Sequence, residues 1–70
     1  MDEEMQILFE NYTALMESGQ YVQLKQELNE EQPANIAEYF EELSDDKQLF
    51  IFRLLTKDVA AEVFSYMDND

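Results

Sequence analysis

Asp58 and Glu62 are the pair in this 70-residue sequence whose types and spacing fit a definite chemistry. Four positions apart, they stand one turn apart if the segment is helical, on the face away from Val59 and Val63. Two carboxylates so placed, with a third ligand from elsewhere, suit a hard cation such as Mg²⁺. That ion keeps several waters and takes only one or two protein oxygens. The same spacing also describes an ordinary solvated acidic face. A pair of this kind has no selectivity of its own, so the site is expected to be weak or partial.

Other chemistries are poorly served. The chain has no histidine and no cysteine, which removes the commonest general base, the commonest transition-metal ligand and any thiolate nucleophile. There is one glycine, hence no glycine-rich loop to cradle phosphate. Lys25, Lys47 and Lys57 have acids nearby and are expected to stay charged. Carboxylates are so numerous that pairs of them do not mark an acid/base site. The expectation is a protein that is not an enzyme.

Seventeen acidic against four basic residues give a formal charge of −13. Nucleic acid and anionic lipid surfaces are repelled by such a field, while divalent cations and basic proteins are attracted. At 46% hydrophobic residues the chain is too apolar for a disordered acidic tail. No apolar run approaches the ~20 residues needed to cross a bilayer. Met1-Asp2-Glu3-Glu4 is the opposite of a signal peptide, so a soluble chain without membrane insertion is expected.

Five helices are needed to position the acidic pair. Met5, Leu8, Tyr12 and Leu15, with Phe9 and Met16, make an amphipathic stripe over roughly residues 2–17. Gly19 is its natural left-handed stop. Tyr21, Leu24 and Leu28 form one face of a short second helix that fades by Asn29-Glu30-Glu31. Pro33 suits the first turn of a third, whose apolar face is Ile36, Ala37, Phe40 and Leu43. The run Leu49–Leu55, broken only by Arg53, follows Ser44 and two aspartates that favour a helix start. It predicts a fourth helix over 45–55, apolar nearly all round and covered on most sides, with the other helices as its cover. Thr56 can cap a fifth, with Val59, Ala60, Val63, Phe64 and Met67 facing inward.

The fold class expected is all-α, a single domain over 1–70 of about five short amphipathic helices. Asn35-Ile36-Ala37 recurs as Asp58-Val59-Ala60, which points to a small superhelical, α-solenoid-like array. In a solenoid, stopping at Asp68-Asn69-Asp70 leaves an apolar edge, so dimerisation or exchange of the last helix is expected. The aromatic residues read mainly as core. Tyr39 and Tyr66, near helix edges, are the better candidates for contact with a partner. Arg53 is expected to pack its stem and carry its head to water, the alternatives being a pair with an inner carboxylate or a contact with a partner.

From Leu24 to Met67 the sequence also resembles a known family. The ordered set Gln-Pro-Ala-Asn-Ile-Ala-Glu-Tyr-Phe-Glu-Glu-Leu, then Leu-Phe-Ile-Phe-Arg-Leu-Leu, then Lys-Asp-Val-Ala-Ala-Glu-Val-Phe is similar to the cytosolic N-terminal domain of the MgtE magnesium transporters. Thr56 stands where that family often has proline, and Asn35 where it often has aspartate. The resemblance implies a helical superhelix followed by CBS domains and a membrane pore, on the cytoplasmic side of a homodimeric transporter. It implies that Mg²⁺ between the N-terminal and CBS domains favours the closed state. It also places Glu62, in Ala60-Ala61-Glu62-Val63, among the regulatory ligands. On this reading residues 1–19 are an added helix and turn, and 20–70 a truncated N-domain region. The rival reading is an acidic helical adaptor without metal function, similar to the helical domains of the flagellar switch protein. An acidic nucleic-acid mimic rests on charge alone.

Overall fold

Local signals set the helix boundaries first. The computed structural model describes residues 3–67, which form α1 (Glu3–Glu17), α2 (Tyr21–Glu30), α3 (Pro33–Phe40), α4 (Asp45–Leu54) and α5 (Lys57–Met67). The fold is all-α, with no strand among the described residues. Gly19 ends α1 with φ +78°, and its N–H donates to the Met16 carbonyl while the Gln20 N–H reaches back to Leu15. That pair of bonds is a Schellman motif, which uses the orphan carbonyls of the last turn. Pro33 opens α3, where its missing N–H costs nothing. Thr56 precedes α5 and accepts a long bond, 3.4 Å, from the Val59 N–H to its hydroxyl. Ser44 takes the extended cap conformation, but its hydroxyl makes no cap bond. The acidic stretch 68–70 lies outside the described residues.

The centre of the molecule is α3, not α4. Ile36, Ala37, Tyr39 and Phe40 are all buried, and α3 lies against α5 while α1 packs on α2 and α2 on α4. Leu24, Leu28, Ile51 and Val63 complete the core at 0% exposure, with Phe9, Tyr12 and Leu15 from α1 closing one side. On α4 only Ile51 is fully covered, and Leu49 is 52% exposed. The expectation of a helix covered on most sides is therefore corrected. A consecutive apolar run circles the helix axis, and a five-helix chain supplies neighbours on only part of that circumference. Phe50 is half-buried, edge-on to Tyr21 with ring centroids 5.1 Å apart.

Two other placements differ from expectation. Tyr39, read as a contact residue, is 2% exposed; its ring lies 5.0 Å from Phe9 and 5.3 Å from Tyr12. Its hydroxyl shares a hydrogen bond of 2.9 Å with that of Thr13. The cause is that α3 is flanked by α1 as well as α5, so the edge that carries Tyr39 is an inner one. Phe64, read as inward, is 61% exposed, because α5 meets the core mainly along Val63. Tyr66, by contrast, is exposed as expected.

Asn29 holds the second half of the fold to the first. Its amide donates to the Leu54 carbonyl (3.0 Å) and to Lys25 (2.7 Å), and its side-chain oxygen accepts from the Thr56 N–H (2.7 Å). One α2 side chain thus satisfies backbone groups on both sides of the α4–α5 turn. Asn29→Ala is expected to lower stability by about 1–2 kcal/mol, read as a fall in the thermal midpoint. A midpoint unchanged from the parent chain would show the bridge to be idle.

Candidate metal centre

The α5 helix decides what Asp58 and Glu62 can do. Val63 is anchored at zero exposure, which turns the flank bearing Asp58 and Glu62 outward, and both residues are exposed. They stand one turn apart on one helix, and Asp58 also lies in the first turn, where negative charge is favoured by the N-terminal N–H groups. Among the described residues no side chain hydrogen-bonds to either carboxylate. No group of three or more acidic, His or Cys residues that could hold a metal ion occurs among the described residues. The donor set fits a hydrated, oxygen-seeking cation such as Mg²⁺, but two carboxylates on one helix are only part of a shell.

Other acids are committed to the fold. Glu27 accepts from the amides of Asn11 (2.7 Å) and Gln23 (2.9 Å). Glu31 accepts from Asn35 (2.7 Å) and lies 3.5 Å from the Tyr12 hydroxyl. Neutral amides thus take the place of scarce basic residues. Sequence reasoning missed this α1–α2–α3 network, whose only sequence signal is the placing of Asn and Gln one or more turns from Glu.

The buried phenols are poor acids. Burial, then the nearby Glu31 and Glu27, pushes the Tyr12 hydroxyl well above the ordinary tyrosine range. Tyr39 is also raised by burial, against a smaller lowering by its bond to Thr13. Neither supplies a general base near neutral pH. Because the folded pKa values lie above the unfolded value of about 10, the linked stability is fully present below pH ~10 and is lost as pH rises further. Helical circular dichroism is expected to hold through pH 9 and to fall above pH ~10, with the fall moved to higher pH in Tyr12→Phe. A fall centred well below pH 10 would contradict this assignment.

Arg53 is exposed, as expected, near the end of α4. No helix among the described residues is long and apolar enough to cross a membrane.

With that geometry in place, comparison with known proteins gives one family. The family model described as the MgtE intracellular N domain matches residues 31–70. Those residues include all of α3, α4 and α5, and with them Asp58 and Glu62. No curated protein and no solved structure matches the chain.

Proposed function

The chain belongs to the MgtE intracellular N domain family, and on that premise we propose that it is a Mg²⁺-responsive regulatory domain of a magnesium transporter. Its place is the cytoplasmic side of the membrane, in a homodimeric parent, and its partners are that transporter's CBS domains. It has no catalytic role and no nucleic-acid partner. The observation that carries this reading is the outward pair Asp58 and Glu62, available and incomplete, on a helix inside the matched region. The packing of α2 on α4 and of α3 on α5 supports a layered, superhelical arrangement.

The chain's own contribution is electrostatic. Facing carboxylates on the two domains repel, and with −13 charges on this side alone the separated state is favoured. Bound Mg²⁺ supplies the positive charge that neutralises them. Asp58 and Glu62 then lie against the partner rather than away from it, and docking tightens ion binding in turn. The exposed pair is expected to bind the ion alone with a Kd on the order of millimolar.

The test is a MgCl₂ titration followed by backbone amide shifts, with CaCl₂ and NaCl as controls. The expected result is saturable shifts clustered at Asp58 and Glu62 and weakened in Glu62→Gln. Diffuse shifts on every acidic face, reproduced by NaCl, would instead support a plain acidic adaptor.

A further inference from the structure

The α5 helix carries a second outward stripe. Phe64 is 61% exposed, and Phe52 of α4 is 38% exposed. With Leu55 and Ala60 they line a shallow hollow between α4 and α5, bordered by Arg53 and Lys57. No acidic residue lines it, in a chain where acids outnumber bases 17 to 4. Two of the four basic residues are therefore gathered at one apolar surface.

Local and global charge make opposite demands here. The whole chain selects basic partners. Within a Debye length of ~8 Å at physiological salt, however, Arg53 and Lys57 on the rim act directly on a docked helix. They are opposed by Asp58 beside Lys57 and by Asp45, which lines the adjoining hollow with Phe52 and Phe64. Exposed aromatic residues beside Arg are also the composition of interface hot spots. We propose that this hollow docks an acidic amphipathic helix of a protein partner. The apolar side chains of that helix lie against Phe52 and Phe64, and its carboxylates meet Arg53 and Lys57. A second copy of this chain would bring a further −13 charges against the first, whereas a short acidic helix brings only a few carboxylates, so the second copy is the poorer occupant. Lys57 and Phe64 lie seven residues apart on one stripe, rotated by roughly 120° from Asp58 and Glu62. The surface is thus separable from the Mg²⁺ face and does not rest on that reading.

The test uses the 70-residue chain, ¹⁵N-labelled, in EDTA and ~150 mM NaCl. Three synthetic peptides of about 18 residues are added: one with Leu and Phe at helical spacing and Glu elsewhere, one with Lys in place of Glu, and a scrambled Glu peptide. The Glu helix is expected to bind best and to shift the amides of Phe52, Arg53, Lys57 and Phe64. Phe64→Gln is expected to weaken it about tenfold, and the Arg53→Glu/Lys57→Glu double to reverse the preference toward the Lys peptide. Asp58→Asn/Glu62→Gln, which removes two negative charges near Lys57, is expected to leave the preference for the Glu helix in place and not to weaken its binding. All the replaced residues are exposed, and circular dichroism checks that each variant is folded. Tighter binding of the Lys peptide by the parent chain, equal binding of the scramble, shifts away from the hollow, or self-association there without peptide binding would each overturn the proposal.

Discussion

Tyr39→Ala is expected to leave the chain largely unfolded at room temperature. Tyr39 is 2% exposed, its ring meets both Phe9 and Tyr12, and its hydroxyl pairs with Thr13. Truncating a buried aromatic to alanine costs about 3–5 kcal/mol. A single core of this size leaves a net stability of only about 3–5 kcal/mol, so one substitution can consume nearly all of it. Tyr39→Phe keeps both ring contacts and removes only the hydroxyl pair, a loss of about 0.5–1.5 kcal/mol. The contrast separates packing from hydrogen bonding. Far-UV circular dichroism and amide dispersion decide the matter. A cooperative melt in Tyr39→Ala within a few degrees of the parent would show that α3 is not the centre of the fold.

The second large effect concerns the exposed pair. Asp58→Asn/Glu62→Gln is expected to weaken Mg²⁺-dependent docking on CBS domains by at least about tenfold, while thermal stability stays within ~0.5 kcal/mol of the parent. Both residues are exposed and engage no other side chain among the described residues, so neutralising them costs the fold little beyond the favourable setting of Asp58 in the first turn of α5. Removing two charges from a chain at −13 even relieves some self-repulsion. Affinity and stability should therefore part company. Glu27→Gln is the informative control. It removes one charge rather than two, and Glu27 is tied to Asn11 and Gln23, so its effect should fall on stability and leave docking intact.

What could be read beforehand follows the range of the interaction. Gly19, Pro33 and Thr56 act on their own backbone or within one turn, and each marks the helix end or start that its chemistry implies. The outward setting of Asp58 and Glu62 was legible for the same reason, since Val59 and Val63 one residue along define the inner face. Burial that depends on a distant neighbour was not legible. Tyr39 is inside because α1 passes over it, and Phe64 is outside because α5 has the core on one side only. The run 49–55 is apolar enough for a central helix, yet centrality belongs to α3, which has helices on two sides. Asn29 is the plainest case. Nothing in its own surroundings says that its amide will serve Leu54 and Thr56, 25 and 27 positions away.

If Asp58 and Glu62 form half of a Mg²⁺ site completed by another domain, the two domains should associate only when the ion is present. Sedimentation velocity of this chain mixed with the CBS-domain pair of an MgtE transporter, in MgCl₂ and in NaCl of equal ionic strength, tests it most directly. The expected result is a complex in MgCl₂ that dissociates in NaCl and fails to form with Asp58→Asn/Glu62→Gln. A complex of equal strength in both salts, or one indifferent to those two residues, would contradict it.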